Sequence, residues 1–182
     1  MVRAAAEAFG PVDVLVNNAL PDYAFDPVTR KDFAGVAWGD YEHQLGALKG
    51  ALHCSQAVVP GMIEKGEGRI VSILSNLINN PVVPYHDYTT AKSAFLGFSR
   101  NLAAELGPHN ITVNMVAGGL VDETDASAPT TQEVRDLVAN STPLRRLGTP
   151  EDLGRAVLMF ASPWSGFVTG QYITCDGGLV MP

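Results

Sequence analysis

Cysteine, clustered positive charge and long apolar runs are all scarce in this chain. Its two cysteines, Cys54 and Cys175, lie far apart and outside any Cys-x-x-Cys pair, and its four histidines show no ligand spacing. This pattern excludes a disulfide framework, points to no metal centre, and leaves the thiols as small hydrophobes. Twelve Lys and Arg stand against nineteen Asp and Glu, a formal net charge of −7, with no basic stripe. Nucleic-acid binding needs clustered cations, so no such partner is expected. No eighteen-residue uninterrupted apolar stretch occurs, which excludes a membrane-spanning helix. The first nine residues lack the apolar core of a signal peptide, so a cytoplasmic location is expected.

What is present describes an ordinary globular domain. The 182 residues are 46% hydrophobic and 17% charged, and they carry no internal repeat or low-complexity linker. A single domain spanning residues 1–182 is expected. Val2 to Phe9 reads as a helix stopped by Gly10-Pro11, and Val12 to Asn17 as a short buried strand. Pro21 to Gly35 reads as a loop. Trp38 to Ile63 reads as a long helix with a bend near Pro60. A second buried strand, Arg69 to Leu74, ends at Ser75. After a proline-punctuated loop, Asp87 to Leu106 reads as a helix and Ile111 to Val116 as a strand. Gly118 to Thr131 is polar enough to be a lid. Two helices follow, Glu133 to Asn140 and Glu151 to Ala161, the second with Pro150 in its first turn. Gln171 to Cys175 is the last strand, and Asp176-Gly177-Gly178 turns the chain out. Strands separated by helices of this length imply βαβ units and an α/β fold with a parallel sheet. Trp38 and Trp164 read as packing residues.

The residues with chemical promise are Tyr88 and Lys92, in a Tyr-x-x-x-Lys spacing, and Ser75, thirteen residues upstream of the tyrosine. Positions i and i+4 share one helix face, so the Lys92 ammonium can lie beside the Tyr88 phenol. A phenol titrates near pH 10, and a neighbouring cation lowers that value toward neutrality. A hydroxyl such as Ser75 can hold the oxygen that the tyrosine protonates. Together these groups suit carbonyl reduction. Tyr-x-x-x-Lys alone is a weak signal, equally met by an amphipathic helix with a snorkelling lysine.

The neighbouring motifs raise its weight. Asp13-Val14-Leu15-Val16-Asn17-Asn18-Ala19 comes first, then Gly68-Arg69-Ile70-Val71-Ser72-Ile73-Leu74-Ser75. Tyr88-x-x-x-Lys92 is followed by Ile111-Thr112-Val113-Asn114 and by the run from Pro143 to Glu151. Val168-Thr169-Gly170-Gln171 and Asp176-Gly177-Gly178 complete the series. Read in order, the chain resembles the short-chain dehydrogenase/reductase family, particularly its 3-oxoacyl-acyl-carrier-protein reductase-like members. The resemblance implies a partial Rossmann-like, doubly wound parallel sheet of about four strands with flanking helices. It implies an NAD- or NADP-dependent oxidoreductase interconverting a carbonyl and a secondary alcohol, with a 3-oxoacyl thioester of fatty acid metabolism as a candidate substrate. Ser75 would polarise the carbonyl, Tyr88 would donate the proton, and Lys92 would hold the nicotinamide ribose. Asn17, Ala19, Gly119, Val121 and Thr124 would complete the cofactor contacts. The resemblance also implies a homodimer or homotetramer.

The pattern has departures. The family's opening strand, glycine-rich turn and helix, which hold the pyrophosphate, find no match here. The sequence therefore reads as the C-terminal portion of that fold, with weak dinucleotide binding expected. Ala47 stands where the family places a helix asparagine, Leu20 replaces a glycine, Gly118 a proline and Glu123 a threonine. Asn114 reads as structural, and the alternative for Asn17, with Asn18, is a pair of residues that tie loops to the sheet. A non-catalytic remnant or truncated fragment, acting only as an association module, is the alternative reading.

Overall fold

Near-continuous apolar runs become the central strands, and amphipathic stretches become the helices that cover them. The computed structural model describes residues 1–182. In chain order the elements are α1 (Val2–Phe9), β1 (Val14–Asn17), α2 (Trp38–Lys65), β2 (Gly68–Ser75) and α3 (His86–Leu106). Then come β3 (Ile111–Gly118), α4 (Gln132–Ser141), α5 (Pro150–Ala161) and β4 (Tyr172–Cys175). The sheet is wholly parallel, in the order β1-β2-β3-β4. β2 and β3 pair over their full length, and every residue of both is buried.

Helices α2 and α3 pack on one face of the sheet. Val58, Met62, Ala103 and Leu106 close there on Ile70, Ile111 and Val113. Helix α5 covers the other face, where Ala156 and Phe160 meet Val71, Ile73 and Val116. In α3 the buried positions Tyr88, Ala91, Lys92, Phe95, Ser99, Ala103 and Leu106 recur every three or four residues. That stripe carries Tyr88 and Lys92 onto the inward face. α2 continues through Pro60 and ends at Gly66, whose φ of 72° suits a residue without a Cβ. Pro150 fills the first turn of α5 as expected, and a capping box closes it: Asp152 N donates to Thr149 Oγ1 and the Asp152 carboxylate accepts from Thr149 N.

Two expectations are revised. Trp38 and Trp164 are 68% and 94% exposed rather than packed, because each lies at the start of a helical element on the solvent side. The first strand begins at Val14, not Val12, and Val14 and Val16 face the side of the sheet opposite Leu15, where they stay exposed.

Asn114 is structural, as its sequence context suggests. Its fully buried side chain donates to Val168 O at 2.7 Å and accepts from Gln171 N at 3.1 Å, fixing the chain that enters β4. Asn114→Ala removes the partner of both backbone groups and empties a fully buried polar site. It is expected to cost about 2–4 kcal/mol in urea unfolding followed by circular dichroism. A loss under about 1 kcal/mol would show that the loop is held by other means.

Candidate active site

The carboxyl ends of parallel strands lie along one edge, so the residues closing β1, β2 and β3 converge there. Ser75 is the last residue of β2 and pairs in register with Gly118, the last of β3. Ser75 Oγ also accepts from Leu77 N at 3.3 Å, capping the short turn Asn76–Ile78. Tyr88 and Lys92 arrive from the first turns of α3. Lys92 Nζ donates to Ile73 O at 2.8 Å, so the ammonium is anchored two residues from Ser75 on the same strand. Ser75, Tyr88 and Lys92 all border one cavity of about 570 Å³, within the usual range of about 300–1,000 Å³ for small-molecule sites.

An aromatic cluster stands over the tyrosine. The Tyr23 ring stacks on Tyr88 at 4.9 Å between centroids, and Phe25 meets it edge-on at 5.0 Å. Both also contact Tyr85. The Tyr23 segment is tied to the segment after β3: Phe25 N donates to Ala126 O at 2.9 Å and Thr130 Oγ1 to Phe25 O at 3.1 Å. The loop expected between Pro21 and Gly35 is thus a strap across the site. Sequence reasoning overlooked it; two aromatics between Pro21 and Pro27, in an otherwise polar loop, were the available signal.

Electrostatics depart from the expectation that Lys92 would depress Tyr88. Burial pushes the Tyr88 phenol up to about 12, and only Ser75, lying beside it, pulls the other way. Burial likewise pushes the Lys92 ammonium down to about 8. The ammonium lies 5.7 Å from the Tyr88 ring centroid and spends a donor on Ile73. Desolvation therefore dominates both groups. Burial, followed by the nearby Asp87 charge, raises Tyr23 strongly as well.

The remaining expected residues divide. Gly119, Val121 and Thr124 line the cavity. A Cβ on Gly119 would fall 2.7 Å from Asp176 Cβ, so only glycine fits that turn. Asn17 and Ala19 do not line it; their neighbours Asn18 and Leu20 do. Asn17 turns the other way, its Nδ2 donating to Ser72 Oγ at 3.4 Å, because side chains alternate along a strand. A further tie went unread: Asn76 Nδ2 donates to Asp176 Oδ2 at 3.0 Å, joining the ends of β2 and β4.

A family model described as enoyl-(acyl carrier protein) reductase matches residues 1–180. The chain belongs to the short-chain dehydrogenase/reductase family. It is 35% identical over 181 residues to nodulation protein G of Azospirillum brasilense, covering 98% of this chain and 70% of that protein. It is 34% identical over 185 residues to the 3-oxoacyl-acyl-carrier-protein reductase of Thermotoga maritima, covering 100% and 71%. Among solved structures, a gluconate 5-dehydrogenase from Burkholderia cenocepacia, in complex with NADP and tartrate, superposes with a TM-score of 0.86. That enzyme is 27% identical, over 98% of this chain and 68% of the other. Membership makes the chain one of an oxidoreductase enzyme family, with the α/β sheet described above.

The pKa directions give a stability prediction. Folded Lys92 titrates below its ordinary 10.5, so between about pH 8 and 10.5 the unfolded chain holds a proton that the folded chain has released. Stability therefore rises with pH through that window, by up to roughly 3 kcal/mol from this group. Lys92→Met should flatten that rise in urea midpoints measured across the window. Tyr88 acts oppositely above its ordinary 10.0, since its raised value makes stability fall as pH climbs toward 12. An unchanged rise in the methionine variant would assign it to another group.

Proposed function

We propose that the chain is an NAD(P)-linked oxidoreductase interconverting a carbonyl and a secondary alcohol, with Ser75, Tyr88 and Lys92 as its working set. The observation that carries this reading is the convergence of Ser75 and Tyr88 on one cavity from different elements, with Lys92 anchored behind them. Ser75 Oγ donates a hydrogen bond to the substrate oxygen, and Tyr88 Oη transfers its proton to that oxygen in reduction. A phenol raised to about 12 is fully protonated at neutral pH, which is the form a proton donor needs. Lys92 keeps donors beyond the one given to Ile73, and these suit a ribose hydroxyl.

The residues around the cavity fit the nicotinamide half of a dinucleotide. Gly119 brings bare backbone to its wall, and Asn18, Val121 and Thr124 stand beside it. When bound, the nicotinamide supplies or accepts the hydride. Asn17 supports this wall from behind through Ser72 rather than touching the cofactor. With no asparagine at position 47, the carbonyl of Ile73 is the group that receives the Lys92 ammonium. A 3-oxoacyl thioester remains the candidate substrate, supported by the likeness to the Thermotoga maritima reductase. The assembled Ser75, Tyr88 and Lys92 favour an enzyme over a purely associating module.

Tyr88→Phe keeps the ring and its packing with Tyr23 and Phe25 while removing the proton donor. It should lower turnover by roughly 100- to 10,000-fold with an unchanged circular dichroism spectrum. Undiminished turnover in the purified variant would remove Tyr88 from the mechanism.

The proposal extends to a homodimer or larger homo-oligomer. Leu158, Met159, Trp164 and Phe167 crowd one exposed region around α5, and Leu52 and Ile63 stand exposed on α2. Sedimentation at micromolar concentration should show a species of at least twice the 19.3 kDa chain mass. A well-folded monomer would contradict this.

A further inference from the structure

The cavity beside Tyr88 offers a ligand almost no charge. Apart from its tyrosines, Lys92 is the only ionisable side chain lining it, and that ammonium already donates to Ile73 O. A cation stands close by, Arg135 of α4, yet all parts of its guanidinium are occupied. Nε donates to Thr130 O at 3.1 Å, Nη2 donates to Ser127 O at 2.7 Å, and Nη1 pairs with Asp122. Turning Arg135 toward a ligand would break the bonds that shape the lid. The lid hydroxyls are spent too. Thr124 Oγ1 and Ser127 Oγ bond each other at 2.8 Å, and Thr130 Oγ1 donates to Phe25 O. Asn18 and Asn76 add uncharged amides, and most of the remaining wall is apolar, Phe25, Val82, Leu120, Val134 and Val138 among it.

We propose that this site selects an uncharged, hydrophobic ketone or secondary alcohol and rejects keto acids and phosphorylated carbonyls of similar length. The inference rests on the carbonyl/alcohol reading above and concerns only which members of that class enter. A carboxylate at the far end of such a substrate, against Val134 and Val138, loses its water and gains no cation, because Lys92 stands with Tyr88 at the reacting end; an uncharged chain does not suffer that loss. A methyl-terminated tail instead removes its own apolar surface, and that of Phe25, Val134 and Val138, from water.

Two probes separate these cases: 2-decanone, and 9-oxodecanoate, which carries a carboxylate in place of the far methyl. Both are titrated into the full chain by calorimetry at neutral pH, with turnover followed separately using NADH and NADPH. The ketone should bind at least about tenfold more tightly than the keto acid, the direction that desolvation dictates. Val138→Arg places a cation in the wall from α4, a helix with no buried residue, and should reverse the preference. If that variant loses its circular dichroism signature, Val134→Lys serves the same purpose. Equal or tighter binding of the keto acid by the unaltered chain overturns the proposal, as does failure of both compounds to bind up to their solubility limits. The ketone binding without turnover leaves this inference standing and sinks the oxidoreductase reading. Turnover of both compounds at equal kcat/KM does the reverse.

Discussion

The site depends on the parallel pairing of β2 with β3. Eight residues of each strand pair in register, from Gly68 with Ile111 to Ser75 with Gly118, and all sixteen are buried. Parallel pairing puts both carboxyl ends at one edge, so Ser75 and the Gly118-Gly119 turn become neighbours without any dedicated contact between them. α3 is then registered against the same strands by its buried stripe, and Lys92 is bonded to the carbonyl of Ile73. The hydroxyl of Ser75, the phenol of Tyr88 and the ammonium of Lys92 thus share one reference, the end of β2. Shift that pairing by one residue, and the serine turns to the opposite face of the sheet.

The burial that positions these groups also sets their chemistry. Withdrawing a phenol and an ammonium from water disfavours the charged form of each, which moves Tyr88 up and Lys92 down. The aromatic cluster of Tyr23, Phe25 and Tyr85 is the immediate cause of the dry surroundings at Tyr88. Spacing alone suggests that a lysine four residues away governs the tyrosine. In the fold, a backbone carbonyl takes the lysine's nearest donor, and desolvation outweighs the distant cation.

Legibility followed the range of the interactions involved. The central strands, α3 and the Pro150 start of α5 are readable because local pattern and local backbone preference determine them. The convergence of Ser75, Tyr88 and Lys92 was readable through ordered motifs, whose spacing encodes the intervening βα geometry. Asn17 and Ala19 do not line the cavity, and a short apolar run does not say which of its alternating sides meets it. Asn18 and Leu20 occupy that wall instead. The course of the strap lies beyond local pattern because it comes from bonds spanning about a hundred residues, between Phe25 and the Ala126 to Thr130 segment. Nothing local to Pro21–Pro27 specifies them.

The site has a floor and a roof that are built differently. The floor, made of strand ends and the first turns of α3, is fixed by the buried packing of β2, β3 and α3 and carries Ser75, Tyr88 and Lys92. The roof is two irregular segments joined by a few hydrogen bonds through Phe25, and it adds Leu20, Phe25, Leu120 and Val121 to the apolar wall. Substitution in the roof can reshape the cavity without disturbing the pairing that aligns Ser75 with Tyr88. Substitution in the floor cannot change shape without also moving the chemistry. Cavity shape and side-chain alignment are therefore set by separate layers, and one fold can keep the second while varying the first.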